Sequence, residues 1–431
     1  MKSEHAIFRP SGYSHGTRLV IACISLLGCL LGIWTAGRAG VSRLLSDQAM
    51  QNSLPTSAND AIRLSPSDPQ AHYARALVLS RLGQGADAIR EFERAAALRP
   101  SDYVLWLDLG SARERNHDHV GALAAFKEAA RLAPGYARPR WEIGQLLLQA
   151  DRRDEAFAEL RRAVASRPAL FLEVVDLAWK TYGGDATAVV GALQPQTGSD
   201  RLVLARFIAE HGKLNEAMDL FRAAGEIPDD GRRSFLTELL AARRFKEAHE
   251  VWLSGRKVSD RPPGSIDAIT DGSLESHIVT DDPGFGWQLG PGVPTINVSL
   301  DTEQPHDGKS SLFLRFGGNP SSSNRIITQL VLVSPRTHYR LSFAARTEQL
   351  VTGGPPIVVV TEAGNTDGRA LAQSAPLPSG TSGWRDYTLE FTTNDATEGI
   401  MIAIQRQNCT SEQCPIFGRV WFDSFFLEKL F

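Results

Sequence analysis

The pattern of apolar and polar positions changes twice along the chain, and three kinds of element follow from it. Near the N-terminus, Leu19 to Ala36 reads LVIACISLLGCLLGIWTA, a run without a single charge. A helix rising about 1.5 Å per residue carries such a run across about 27 Å, enough for a bilayer core. From about 50 to 256, apolar residues recur at spacings of three and four, as in Ala122, Leu123, Phe126, Ala129 and Ala130. That spacing predicts amphipathic helices. After Asp260-Arg261-Pro262-Pro263-Gly264, alanine thins out and the period falls to two. Ile296–Leu300, Leu312–Phe316, Gln329–Val333, Tyr339–Phe343, Ile357–Thr361, Tyr387–Phe391, Ile400–Ile404 and Val420–Asp423 read as strands. Short strands divided by turn signals, with no helical pattern between them, predict an antiparallel β-sandwich over 262–431.

The helical region repeats. Pro66, Pro100, Pro134 and Pro168 follow one another at a single constant interval. Ala88, Ala122 and Ala156 share a phase at that interval, as do Ala95, Ala129 and Ala163, and Phe92, Phe126 and Leu160. A fixed period means stacked units, each a pair of antiparallel helices. Small residues let helix axes approach, Phe126 fills the space between units, and each proline closes a second helix because it has no N–H to continue it. The unit Trp106…Leu109-Gly110…Ala122…Phe126…Ala129…Pro134 resembles a tetratricopeptide repeat, departing at Arg113, where that family usually has Tyr. The units ending at Pro168 and Pro100 match less fully. Ala58–Leu64, Asp185–Leu193, Gly212–Ala224 and Phe245–Trp252 are similar to further second helices, the later ones set at a slightly shorter interval. The resemblance implies an α-solenoid over 50–256 and a concave groove. That groove would be lined by Gln70, Tyr73, Leu77 and Ser80, by Val104, Leu107, Ser111 and Glu114, and by Arg138, Trp141, Gln145 and Leu148. It implies a protein partner there, with Tyr73 and Trp141 as anchors because aromatic residues dominate binding hot spots.

The strand region resembles the jelly-roll carbohydrate-binding modules. The likeness rests on Asp271-Gly272-Ser273-Leu274-Glu275, Gly286-Trp287, Asp307-Gly308-Lys309-Ser310-Ser311-Leu312, Tyr339–Arg346, Trp384 and Val420-Trp421-Phe422-Asp423. It implies a first strand at 271–275 lying beside the last, which would bring Glu275 and Asp423 together as ligands of a structural calcium, an ion that takes oxygen donors. Sugar binding needs exposed rings, and Trp287, Trp384 and Trp421 are the candidates. The competing reading of each tryptophan is core packing, and the scaffold also serves proteins that bind no sugar.

Compartment and chemistry narrow the picture. Three readings fit the apolar run. An uncleaved signal-anchor suits its length and Arg38, which interrupts the cleavage zone. A cleaved signal peptide suits Thr35-Ala36-Gly37, and Leu26-Leu27-Gly28-Cys29 resembles a lipobox. Each places the bulk of the chain outside the cytoplasm; with an anchor, residues 1–18 form a cytoplasmic tail and 19–36 the span. Cys409 and Cys414, without a neighbouring His or further Cys, suit a loop-stapling disulfide rather than a zinc site. The net charge of −3, from 46 basic and 49 acidic residues, argues against nucleic acid. His117-Asp118-His119 falls in a turn between repeat helices, and no Walker loop, G-x-S-x-G or H-E-x-x-H motif occurs. The sequence therefore predicts a non-enzymatic, membrane-anchored extracytoplasmic scaffold without a catalytic cofactor. Its repeats would recruit another envelope protein and its sandwich would contact a cell-envelope or exopolysaccharide glycan. The alternatives are an assembly scaffold that binds only proteins and an undetected glycan-active enzyme.

Overall fold

The structure, a computed structural model, describes residues 15–256, 267–276, 283–290, 296–318, 325–364, 369–409 and 414–430. The composition change at 260–264 lies outside them. Among the described residues are fourteen α-helices followed by ten strands. They form two compact units, 1–195 and 196–431.

The first unit opens with α1 (His15–Asn52), a single helix of 38 residues. Its apolar stretch is nowhere buried, so by length and composition it can cross a membrane. The helix does not stop at the end of that stretch. Ser42, Ser46 and Ala49 are fully buried, because the last third of α1 packs as the first helix of the array against α2 (Pro55–Leu64) and α3 (Pro69–Arg81). Three hairpins follow the repeat: α3 with α4 (Gly85–Leu98), α5 (Tyr103–Arg115) with α6 (His119–Leu132), and α7 (Ala137–Gln149) with α8 (Arg153–Ser166). A fourth joins α9 (Phe171–Thr181) and α10 (Ala186–Leu193).

The residues that repeat in sequence are the ones that pack. Ala88, Ala122, Ala156, Ala95, Ala129, Ala163, Phe92, Phe126 and Leu160 are all 0% exposed. Starts and stops repeat as well. Asp68 and Asp102 cap α3 and α5 by accepting from the Gln70 and Val104 amides, which satisfies N–H groups that a helix leaves unpaired. The turn inside each hairpin needs one left-handed residue, supplied in phase by Gly83 (φ 74), His117 (φ 62) and Asp151 (φ 54). The His117-Asp118-His119 cluster is this turn: His117 bends it and Asp118 caps α6 through the Gly121 amide.

The second unit combines four helices with the sandwich. Helices α11 (Gly198–Glu210), α12 (Leu214–Arg222), α13 (Asp229–Ala241) and α14 (Phe245–Ser254) precede two five-stranded antiparallel sheets. The first sheet has the order β1 (Gln288–Leu289), β4 (Arg325–Leu332), β9 (Gly399–Arg406), β6 (Pro356–Glu362), β7 (Ala370–Gln373). The second has the order β2 (Ile296–Asp301), β3 (Ser311–Gly317), β10 (Ile416–Leu430), β5 (His338–Thr352), β8 (Gly380–Thr392). Alternate residues of both sheets, among them Leu314, Phe343, Val360, Ile402 and Phe422, meet in one core. The outward residues of the first sheet, Leu330, Leu332 and Met401, instead pack with Phe245 and Trp252 of α14. Helices cover that sheet, and the outer face of the second is the exposed one.

Two strand expectations are corrected. Residues 271–275 form a turn, not a strand; they touch the last strand through one bond, from the Phe425 amide to the Gly272 carbonyl at 2.7 Å. Asp271 and Leu274 adopt positive φ there, which breaks the extended backbone a strand needs. β5 and β10 are also far longer than the alternating segments at 339–343 and 420–423, each running 15 residues through bulges. The short edge strands β1 and β7 have no alternation strong enough to show in sequence.

Candidate functional site

Two surfaces carry the residues singled out in the sequence. The first lies on the opening helices of the repeats, in the first unit. Arg138, Trp141, Glu142 and Gln145 fall at i, i+3, i+4 and i+7 on α7 and so share a face. Trp141 and Gln145 are half-buried, and the Arg138 side chain is 65% exposed. Tyr73 on α3 is half-buried, edge-on to Phe92, and its hydroxyl donates to Asp108 Oδ2 on α5 at 2.7 Å. Burial, reinforced by that carboxylate, pushes its phenol far up. A second link joins α5 to α7, from Gln149 Nε2 to Glu114 Oε1 at 3.4 Å. Leu107 does not line the face: it is 3% exposed and packs with Phe126 and Ile143.

The sequence reading missed two members of this face, Asp108 and Glu142. They hold the same position in successive repeats, so an acid recurring in phase was the signal. Burial raises the Glu142 carboxyl; Arg138, 3.6 Å away, opposes that and Glu114 adds to it. The face thus offers a ring, a guanidinium and several carboxylates.

The second surface is the outer face of the β2–β3–β10–β5–β8 sheet, in the second unit. Cross-strand register sets Ser299, Phe313, Trp421 and Arg346 in one row. Trp384 of β8 extends it, 5.6 Å from the Arg346 guanidinium. Trp421 is only 4% exposed. The Arg346 guanidinium lies over its ring at 4.0 Å, Phe313 flanks it at 5.0 Å, and its Nε1 donates to Asp301 Oδ2 at 2.6 Å. Arg346 also donates to Gln304 Oε1 at 2.5 Å. Trp384 is half-buried, with the His306 ring 5.4 Å away. Trp287 is not on this face. It is a core residue, 5% exposed, packed on Phe425 and donating from Nε1 to the Asp271 carbonyl.

Glu275 and Asp423 converge on one loop but through amides. Asp423 Oδ2 accepts from the His306 and Asp307 N–H groups, and its Oδ1 from that of Ser424. Glu275 Oε1 accepts from the amides of Lys309 and Ser310. Calcium takes six to eight oxygens, whereas these carboxylates are surrounded by N–H donors. Among the described residues no three His, Cys, Asp or Glu side chains converge. The residues present do not fit a calcium ion. Cys409 and Cys414 are disulfide-bonded, with Cα atoms 6.1 Å apart. The buried Arg406 guanidinium lies against them and donates to the Cys414 carbonyl at 2.6 Å.

With this geometry in hand, comparison with known proteins is informative for the helices. Residues 49–103, 73–137 and 107–171 each match the tetratricopeptide repeat family model. A TPR repeat-containing protein of Pseudomonas aeruginosa is 39% identical over 87 residues, 20% of this chain and 36% of that protein. Anaphase-promoting complex subunit 3 of Schizosaccharomyces pombe is 29% identical over 113 residues, 26% of this chain and 17% of its own length. The chain therefore spans about a third of the first relative and about a sixth of the second. Among solved structures, MamA of Desulfovibrio magneticus RS-1 aligns with 44% of this chain and 98% of its own, at 18% identity and a TM-score of 0.32. A CBM4 structure aligns with 38% of this chain and 99% of its own, at 14% identity and a TM-score of 0.28. The repeats over residues 49–171 are tetratricopeptide repeats.

Proposed function

We propose that the chain is a single-pass membrane scaffold with its bulk outside the cytoplasm. Its repeat face would hold an envelope protein and its sandwich would contact a glycan. The observation that supports the scaffold reading is α1, whose unburied apolar stretch continues without a break into the first helix of a tetratricopeptide repeat array. The Cys409–Cys414 disulfide supports an oxidising compartment. The glycan reading is supported by the row of rings on the uncovered sheet, and within it by Trp384, a half-buried ring with the polar neighbours His306 and Arg346.

A photo-crosslinking residue at Arg138, in the intact chain in its own membrane, tests the repeat face. It should trap a partner that the same residue at Lys127 does not, and Trp141→Ala should cut the yield about tenfold without changing helical content. Equal trapping at both positions would remove the groove. In the same preparation, binding to a panel of envelope polysaccharides should be lost in Trp384→Ala. The roofing of Trp421 by Arg346 favours a second reading, a sandwich that binds only protein. A chain that retains no polysaccharide with Trp384 intact establishes that reading instead.

A further inference from the structure

The way α1 enters the array fixes which edge of the array faces the bilayer. Ser42 Oγ donates to the Ala61 carbonyl of α2 at 2.8 Å, in a buried contact. The two helices are joined by only Ser53 and Leu54, so they run antiparallel. With residue 42 opposite 61, Leu64 at the end of α2 falls opposite residue 39. The hydrogen bond from Arg38 Nη2 to the Arg63 carbonyl, at 3.5 Å, agrees with this register. Arg43, 3.5 Å from Asp68, and Arg81, bonded to the Met50 carbonyl, hold the same packing from α3.

Depth follows from the helix rise. The apolar run ends at Ala36, so residue 39 lies about 4.5 Å beyond it. The headgroup layer on each side of the hydrocarbon is about 5–8 Å thick. The end of α2 therefore falls within that layer. Two guanidinium groups come with it. Arg38 reaches the Arg63 backbone, and the Arg63 side chain is 82% exposed, paired with Asp60, itself 53% exposed. Trp34, 64% exposed, sits just below at the depth where an interfacial ring is favoured. An arginine ending a helix also serves the helix dipole, but the dipole does not account for Arg38, which is in the middle of α1. Because each helix reverses the one before, the next return turn, with Arg99 exposed beside Pro100, lies on the same edge.

We propose that the turns joining one repeat to the next, beginning with residues 63–68, form a membrane-facing edge of the array. Arg38 and Arg63 are set among the phosphates of anionic phospholipid headgroups. The array is then held at a fixed height on the bilayer instead of swinging on a tether. This rests on the membrane-anchor reading, and the test separates the two.

The full chain with Cys23→Ser and Cys29→Ser is placed in nanodiscs of phosphatidylcholine with about one third phosphatidylglycerol. Cys409 and Cys414 are bonded to each other, so one introduced thiol takes an environment-sensitive dye. The thiol is placed in turn at Leu30→Cys in the span, Ser67→Cys on the proposed edge, and Gln84→Cys at the other end of α3. The 13 residues of α3 separate the last two by about 20 Å. A nitroxide on the lipid headgroup should quench the Ser67 dye at least threefold more than the Gln84 dye. Arg38→Gln with Arg63→Gln, or omission of phosphatidylglycerol, should reduce that quenching about twofold. Equal quenching at the two positions, with the Leu30 dye in an apolar environment, overturns the seated edge and leaves the anchor standing. A Leu30 dye in water, or a chain recovered without it, overturns both.

Discussion

Gly110 offers the sharpest test of how the repeats are held together. It lies on α5 under the ring of Phe126 from α6. A Cβ built there would sit 2.5 Å from both Cδ1 and Cε1 of that ring. Phe126 is 0% exposed, enclosed by Leu107, Ala129, Ile143 and their neighbours, so the ring has nowhere to move. One repeat later the arrangement recurs, with a Cβ on Gly144 placed 2.7 Å from Leu160 Cγ. Two effects of Gly110→Ala therefore compete. Alanine gains up to about 1 kcal/mol of helix propensity. Overpacking a closed core costs about 1–3 kcal/mol, and direct contact with two ring carbons puts this site at the upper end. The net expectation is a loss of about 1–2 kcal/mol. Hydrogen exchange on peptides covering 103–132 of the full chain in nanodiscs reads this locally, and such a loss speeds exchange about 5- to 30-fold. Gly191→Ala is the control, since a Cβ there meets nothing within 4 Å; α10 should gain protection. Adding Phe126→Leu to Gly110→Ala should cost less than the sum of the two changes, with a coupling of about 0.5–3 kcal/mol. If Gly110→Ala protects α5 and α6 as Gly191→Ala protects α10, close helix approach is not what the glycine provides, and the packing account of the repeat fails.

The pair His72–Glu91 should make the first repeats sensitive to pH. His72 Nδ1 lies 2.7 Å from Glu91 Oε2 and Nε2 lies 2.9 Å from the Pro66 carbonyl, so both ring nitrogens face acceptors and the imidazolium is favoured. Its pKa is raised above 6.5 and that of Glu91 lowered below 4.5, each chiefly by their shared hydrogen bond. A raised histidine contributes stability in full below 6.5, and that stability is lost as pH rises through the folded value; the lowered carboxylate contributes above 4.5 and fails as pH falls. Urea midpoints should therefore decline above pH 6.5 in the native chain and less so in His72→Gln; parallel pH curves would refute the assignment. For the Cys409–Cys414 bond, the short closed loop predicts a loss of about 2 kcal/mol in Cys409→Ser with Cys414→Ser. The decrease should appear in denaturant midpoints of the sandwich and be mimicked by reductant; an unchanged midpoint would mean that Arg406 and the strands hold the loop alone.

How much could be read from the sequence depended on how far apart the contacting residues lie. In the array each repeat touches its neighbours, so the structural period is the sequence period. That is why Phe92, Phe126 and Leu160 could be placed in the core from their phase. The left-handed turn at Gly83, His117 and Asp151 recurs in the same phase but uses three different residue types, so its backbone geometry was invisible as a motif even though His117 was placed in a turn. In the sandwich the informative contacts are remote. Trp421 alternates correctly for an outward ring, yet Arg346, from a strand far earlier in the chain, covers it. Asp423 and Glu275 have the residue types of a cation site, and only the folded loop shows that the amides of 306–310 already satisfy them. The limit of the apolar run at Ala36 was legible from charge, but the continuation of α1 to Asn52 was not, because Ser42, Ser46 and Ala49 become a buried stripe only when α2 and α3 lie against them.

The same dependence explains why the change of composition near 260 does not divide the packing. A run of stacked helices has apolar ends, and each must be closed. In the first unit α1 closes one, with Ala49 set against Ala58 and Val78. In the second unit, α14 presents Phe245 and Trp252 to Phe285, Leu330 and Leu332 of the sandwich. Trp252 is 1% exposed and Phe285 2%. Large aromatic side chains bury about 150–250 Å² each. At about 25 cal/mol per Å² that is about 4–6 kcal/mol apiece, as an upper estimate. Lys246 adds an ion pair to Glu398 at 2.6 Å, but both groups are substantially exposed, so it contributes little beside the rings. Cutting the chain where alanine gives way to serine and threonine would therefore uncover the last hairpin and the outward face of the first sheet together. The compact unit that holds the sandwich begins before α11, at Gln196. A soluble fragment of the sandwich should begin there, carrying its four helices with it.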